Sequence, residues 1–164
     1  MRAIIFIAFV FAIVGCRVKE LEKTGLEGTS LPEFRLLLKD SITYLKVNDT
    51  PTGYPVVLFC FSPNCPFCRA QMEEIIRRMD LLKEIKFLIF TSYEFSEMKS
   101  FYEKYQLGKY PNVSMGLDVD DFFSKYFQIK GVPYMAIYGT DRKLKGAFLG
   151  SVFAERIKVI AEKE

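Results

Sequence analysis

From residue 32 onward, the chain alternates between strand-like and helix-like hydrophobic patterns. Continuous apolar runs at residues 55–61 and 85–91 predict strands that are buried on both faces of a sheet. Between them, residues 66–83 carry apolar side chains at helical spacing with charged residues in between, which predicts an amphipathic helix. This alternation predicts an α/β fold with helices on both faces of a central sheet.

The remaining segments extend the same pattern. Two short strand-like stretches, at residues 34–38 and 42–47, flank Lys39-Asp40-Ser41 and predict an N-terminal β-hairpin. Further helices are predicted at residues 96–106, 120–127 and 153–161, and further strands at residues 113–117, 132–138 and 144–149.

The N-terminus reads as a targeting segment. The apolar run at residues 3–14 follows Arg2; it is shorter than the roughly 20 residues of a membrane span but typical of a signal-peptide core. Ile-Val-Gly-Cys at residues 13–16 resembles the bacterial lipobox, in which the cysteine is lipidated and becomes the first residue after cleavage. The alternative is an ordinary N-terminal anchor with an incidental cysteine.

The lipobox resemblance implies three regions. Residues 1–15 would be a lipoprotein signal peptide, and Cys16 would carry the lipid that anchors the chain to a membrane of the cell envelope. The charged, glycine-containing stretch at residues 16–31 is predicted to be a solvated tether, followed by the folded domain at residues 32–164. The domain would then face the periplasm or another extracytoplasmic space, where disulfides persist.

The size and composition of the chain exclude several classes of function. With 164 residues, half of them hydrophobic, the chain is long enough for one well-packed domain. Its 23 basic and 20 acidic residues are too balanced for a nucleic-acid binder. It has no histidine, which excludes imidazole metal sites and both Ser-His and Cys-His catalysis within the chain.

Cys65 and Cys68, in Cys-Pro-Phe-Cys, admit three interpretations. A structural zinc site needs four ligands, and this Cys-x-x-Cys has no second pair. A structural disulfide across so short a loop would add little stability, because it removes little conformational entropy from the unfolded chain. A redox pair explains more, because Pro66 suits the first position of a helix, and Cys65 would then lie at a helix N-terminus that favours its thiolate. Arg69 adds positive charge nearby, Cys68 is within reach to close the ring, and no metal or organic cofactor is expected.

Two separated motifs resemble the thioredoxin family. The Cys-x-x-Cys follows a strand and opens a helix, and Gly131-Val132-Pro133 precedes a later strand. The stretch from residue 32 to Cys68 is similar to the membrane-tethered TlpA/ResA group. The resemblance implies a thioredoxin-like fold, with a central mixed β-sheet, helices on both faces and an N-terminal β-hairpin extension.

The resemblance also implies site roles. Cys65 would attack a substrate disulfide and Cys68 would resolve the mixed disulfide. Pro133 would be a cis-proline facing the pair, and the Val132 backbone would pair with the substrate. Pro66 and the exposed Phe67 would contact the substrate as well. Protein thiols and disulfides would be the substrates, with a membrane redox partner.

The chain also departs from the family pattern. Phe59 stands where cytosolic thioredoxins carry a buried aspartate, and Glu94 is the candidate substitute as proton acceptor for Cys68. Cys60 is predicted to pack as a small hydrophobic residue.

Two other functions remain open. A thiol peroxidase is one, because Ser62 with Cys65 loosely matches the Thr-x-x-Cys of peroxiredoxins, although that family's proline would fall at Leu58. A non-catalytic, substrate-binding lipoprotein that uses the groove for docking is the other.

Overall fold

The computed structural model describes residues 20–163, so the predicted signal peptide and Cys16 lie outside the described residues. The strands are β1 (Arg35–Leu38), β2 (Tyr44–Lys46), β3 (Val56–Cys60), β4 (Lys86–Thr91), β5 (Val113–Leu117), β6 (Tyr134–Tyr138) and β7 (Leu144–Leu149). The α-helices are α1 (Pro66–Arg77), α2 (Met79–Leu82), α3 (Phe95–Lys104), α4 (Phe122–Phe127) and α5 (Ala154–Ala161). In this part of the chain, no helix is long and apolar enough to cross a membrane.

The strands form one mixed sheet in the order β2-β1-β5-β4-β3-β6-β7. Strands β3, β4 and β5 are parallel neighbours, because the helices between them return the chain to the same end of the sheet. The predicted hairpin is present as β1 and β2, and β1 joins the sheet by antiparallel pairing with β5. The prediction of a mixed sheet with an N-terminal hairpin extension is therefore confirmed.

Both faces of the sheet are covered, as predicted. Successive residues of a strand point to opposite faces, so β3 contributes Phe59 to one core and Leu58 to the other. Helices α1, α2, α3 and α5 pack on the first face. Helix α4 packs on the second face through Phe123 and Phe127. All five residues of β3 are buried, which explains its continuous apolar sequence.

The helix predicted at residues 66–83 is divided in two. Arg78 leaves helical geometry, with φ −111° and ψ 24°, and its guanidinium pairs with Glu155 on α5 at 2.7 Å. Helix α2 then packs against α5, and Leu82 is fully buried in the first core. No glycine or proline lies near this break, and the helical spacing of apolar residues continues across it. The sequence therefore predicts one helix where the structure has two.

The prediction of a solvated tether is corrected for residues 20–31, which run along β7. The Glu22 N–H donates to the Ala147 carbonyl at 2.8 Å, and the Leu31 N–H donates to the Arg142 carbonyl at 3.0 Å. The Leu31 side chain is buried. The tertiary structure supplies an unpaired strand edge that the sequence does not reveal, and this segment covers it.

We expect Gly116→Ala to weaken the attachment of the hairpin to the sheet. An added methyl group would lie 2.8 Å from Cβ of Leu36 and 2.9 Å from the Leu37 carbonyl oxygen, and neither atom can rotate away. Such overpacking should lower the free energy of unfolding by about 1–3 kcal/mol, measured by urea denaturation. Gly131→Ala is the control, because its methyl would lie 3.6 Å from Leu149 and should change this energy by no more than about 1 kcal/mol. Equal losses in both variants would contradict this assignment.

Candidate active site

Cys65 is the N-cap residue of α1, and Pro66 occupies the first helical position, as the sequence predicts. The Cys65 side chain is partly exposed, and its sulfur accepts a hydrogen bond from the Cys68 N–H at 3.4 Å. The first N–H groups of a helix have no acceptor within the helix, so they favour a negative charge on the N-cap side chain. The geometry therefore places a sulfur that solvent can reach at the N-terminus of a helix.

The loop before β6 brings Val132 and Pro133 to the cysteine pair. The Val132–Pro133 peptide bond is cis, as predicted. The Cys65 thiol donates toward the Val132 carbonyl over 3.6 Å, although 67 residues separate the two in sequence. Pro133 is buried and Val132 half-buried. The structure thus joins the two motifs that carry the family resemblance.

Cys68 is the protected member of the pair. Its side chain is fully buried, and its sulfur accepts a hydrogen bond from the Ser62 N–H at 3.5 Å. Burial raises the pKa of the Cys68 thiol to about 12, although the Ser62 N–H opposes this shift. Cys68 is therefore a proton-bound thiol at neutral pH.

A fully buried amide fixes α1 against the loop that follows β7. The Gln71 side chain donates to the Val152 carbonyl at 3.0 Å and accepts from the Val152 N–H at 2.6 Å. Two residues earlier, the Gly150 N–H donates to the Pro133 carbonyl at 2.7 Å. Gln71 is not among the site residues that the sequence predicts. The available signal is a polar residue in the buried stripe of α1, three positions after Cys68.

Two further predictions concern residues near Cys65 and Cys68, namely the exposure of Phe67 and the role of Glu94. Phe67 is 66% exposed, as predicted, and together with the exposed Pro66 it forms an apolar rim beside Cys65. Glu94 is exposed at the N-terminus of α3. Within residues 20–163, no carboxylate hydrogen-bonds to the Cys68 sulfur, so nothing in these contacts supports Glu94 as a proton acceptor.

Cys60 is separated from Cys68 by the sheet. It belongs to the second core, whereas Cys68 belongs to the first. Its side chain is 5% exposed, and burial raises the pKa of its thiol far above the ordinary value. The prediction that Cys60 packs as a small hydrophobic residue is confirmed.

The fold and the site together define a thioredoxin-like protein with two neighbouring thiols at a helix N-terminus. The family model described as "AhpC/TSA family" matches residues 28–147, and the chain belongs to this family. No curated protein matches the chain by sequence.

Three solved structures illustrate the fold. A secreted disulfide oxidoreductase of Mycobacterium tuberculosis, homologous to E. coli DsbE, is 18% identical with a TM-score of 0.62, covering 78% of this chain and 93% of that chain. StoA from Bacillus subtilis is 14% identical with a TM-score of 0.61, covering 80% and 97%. The peroxidoxin BcpB from M. tuberculosis is 14% identical with a TM-score of 0.67, covering 82% and 95%. At these identities the likeness confirms the thioredoxin-like fold.

The raised pKa of Cys68 predicts a loss of stability in alkaline solution. The folded state keeps this proton up to about pH 12, whereas the unfolded chain releases it near pH 9. Above pH 9 the unfolded state therefore binds fewer protons, and stability falls as pH rises, by about 1.4 kcal/mol per pH unit for one such group. Urea denaturation of the reduced protein between pH 8 and pH 10.5 should show a shallower decline for Cys68→Ser than for the wild type. Parallel declines would contradict the buried, proton-bound state of Cys68.

Proposed function

We propose that the protein is a thiol–disulfide oxidoreductase that exchanges disulfides with protein substrates through Cys65 and Cys68. The observation that carries this proposal is the pairing of a partly exposed Cys65 sulfur at the N-terminus of α1 with a fully buried Cys68. One sulfur can meet a substrate, and the other is shielded until a mixed disulfide forms. One structural neighbour, the secreted protein of M. tuberculosis described as a disulfide oxidoreductase, agrees with this role.

The exchange takes two balanced steps. In the reducing direction, the Cys65 thiolate attacks one sulfur of a substrate disulfide, forming a mixed disulfide, and the other substrate sulfur leaves as a thiolate that takes up a proton. Cys68 then loses its proton and attacks the Cys65 sulfur. This step closes the Cys65–Cys68 disulfide and releases the second substrate thiol. The protein dithiol has lost two electrons, the substrate disulfide has gained them, and the oxidising direction is the reverse.

The groups around Cys65 suit an extended substrate chain. We infer that the backbone of Val132, held beside the Cys65 sulfur, pairs with the substrate in the manner of an added strand. Pro133 holds the turn that presents this backbone. Pro66 and Phe67 would form the apolar rim against which the substrate packs, because both are exposed beside the attacking sulfur.

A thiol peroxidase is the second candidate, favoured by the likeness to a peroxidoxin. In that reaction the Cys65 thiolate would attack a peroxide, giving a sulfenic acid and an alcohol or water, and Cys68 would then condense with the sulfenic acid to release water. Ser62, the loose match to the peroxiredoxin threonine, is 8% exposed and contacts the pair through its backbone N–H. A non-catalytic docking protein would need neither sulfur.

Paired cysteine variants test the proposal. Cys68→Ser should accumulate mixed disulfides with protein substrates, because Cys65 still attacks but nothing resolves the bond. Cys65→Ser should trap none. Both variants should lose at least about a hundredfold in the rate of insulin reduction, since the covalent route is interrupted. Non-reducing gels with mass spectrometry would identify the trapped partners.

The same variants separate the three functions. Equal trapping by both variants, or insulin reduction that survives in Cys68→Ser, would overturn the role assignment. Hydrogen peroxide that oxidises the reduced wild-type protein much faster than insulin does would favour the peroxidase. Wild-type protein inert toward both would favour the docking protein.

We further propose that the protein is lipid-anchored through Cys16, faces the extracytoplasmic side and exchanges electrons with a membrane redox partner. The lipobox-like residues 13–16 after the apolar run support this location. In cells given an alkyne fatty acid, the wild-type protein should be labelled and fractionate with membranes, and Cys16→Ser should lose the label entirely. An intact Met1 on the mature wild-type protein, measured by mass spectrometry, would contradict the proposal.

A further inference from the structure

A cavity of about 430 Å³ opens beside the cysteine pair, on the Val132 side. It lies where β3 and β4 end and α4 begins. Its volume falls within the range of roughly 300–1,000 Å³ that ligand pockets occupy. The lining residues that matter here are Cys60, Ser92, Tyr93, Asp121, Ser124 and Val132.

Val132 connects this cavity to the reaction. It lines the cavity, and its carbonyl contacts the Cys65 sulfur at 3.6 Å. A substrate that pairs with the Val132 backbone therefore runs past the cavity mouth. Side chains of an extended chain alternate in direction, so a residue close to the substrate cysteine can point into the cavity.

The cavity wall carries one charged group, the Asp121 carboxylate. Within residues 20–163, no Lys or Arg forms an ion pair with Asp121. The nearby Asp118 carboxylate accepts hydrogen bonds from the N–H groups of Phe122 and Phe123, so its oxygens are already engaged. Lys130 follows Ile129 of the cavity wall but lines a neighbouring cavity instead.

The other walls suit the stem of a long side chain. Tyr93 is 53% exposed and presents an aromatic ring, and Val132 and Ile129 add apolar surface. Cys60 also lines the cavity, and only 5% of this residue is exposed. A side chain with an apolar stem and a cationic head would pack its stem against these walls and pair its charge with the Asp121 carboxylate.

We propose that this cavity is a specificity subsite that receives a basic side chain, arginine or lysine, next to the reacting cysteine of the substrate, and that Asp121 selects for it. The inference rests on the proposed disulfide exchange at Cys65 and Cys68, and it names the substrate class of that site. Asp121 is a specificity-determining residue and takes no part in the chemical steps.

Short peptides with an internal disulfide test the proposal. Four peptides differ only at the two positions flanking one cysteine, which carry arginine, citrulline, alanine or glutamate. Citrulline has nearly the shape of arginine but no charge. The measurement is the second-order rate constant for oxidation of the reduced protein by each peptide, so no recycling enzyme is needed.

For the wild-type protein, the arginine peptide should react about three- to tenfold faster than the citrulline and alanine peptides, and the glutamate peptide slowest. This preference should shrink in 0.5 M salt, because screening weakens partly exposed charge pairs. In Asp121→Asn, the ratio of arginine to citrulline should fall to about one. Asparagine tolerates the left-handed backbone of residue 121, with φ 48°, so the loop should be retained.

Asp120→Asn is the matched control. It removes the same charge from the adjacent residue, but Asp120 lines a different cavity, with Glu33 and Arg35. Its arginine-to-citrulline ratio should match that of the wild type.

The outcomes separate this inference from the proposed function. If no peptide, including the alanine peptide, oxidises the reduced protein, both proposals are wrong. If the peptides react but the wild type shows no preference for arginine over citrulline, the subsite is wrong and disulfide exchange stands. A preference that Asp120→Asn abolishes as fully as Asp121→Asn would show a general field effect and overturn the assignment to this cavity. The comparison of arginine with citrulline needs no variant, so it decides the matter even if Asp121→Asn fails to fold.

Discussion

The candidate site depends on the way the first turns of α1 are held against the loop after β7. Gln71 makes two hydrogen bonds to the Val152 backbone from a fully buried position, where an unpaired amide would be costly. Gly150 then bonds to the Pro133 carbonyl. Through these contacts, one helix fixes the distance between the Cys65 sulfur and the backbone of Val132. If α1 shifted along the sheet, both Gln71 bonds would break together. These two bonds therefore hold α1 in one position relative to the loop after β7.

The second feature of the site is the unequal burial of its two sulfurs. Cys65 caps the helix and meets solvent, whereas Cys68 lies in the core one turn later and has its pKa raised by desolvation. The Ser62 N–H is the contact that favours the Cys68 thiolate. The Ser62 N–H and the Arg69 charge oppose this shift, but burial outweighs them. This arrangement keeps the Cys68 thiol neutral, as the proposed exchange requires until a mixed disulfide forms beside it.

The sheet explains why a cavity lies beside this pair. Strands β3 and β4 are parallel, so their carboxyl ends meet at one edge, where helices and loops begin. Crevices at such edges are the usual binding positions in α/β folds. Cys68 faces one side of the sheet, and the cavity with Asp121 lies by α4 on the other side. The Val132 loop spans both sides, so the proposed disulfide exchange and the proposed selection of a substrate side chain would use separate walls.

The sequence by itself determined the fold class, the hairpin, the buried central strands, Cys65 at a helix start and Pro133 before a strand, because each follows from local hydrophobic periodicity or a short motif. The tertiary structure decided the rest. It divided the predicted helix at Arg78, where α2 packs against α5, and it laid residues 20–31 along β7, an edge that exists only once the sheet has formed. It also brought Gln71 to Val152 and placed Asp121 and Val132 around one cavity. Gln71 and Val152 are 81 positions apart in the sequence, and no local pattern records which distant backbone will satisfy a buried polar group.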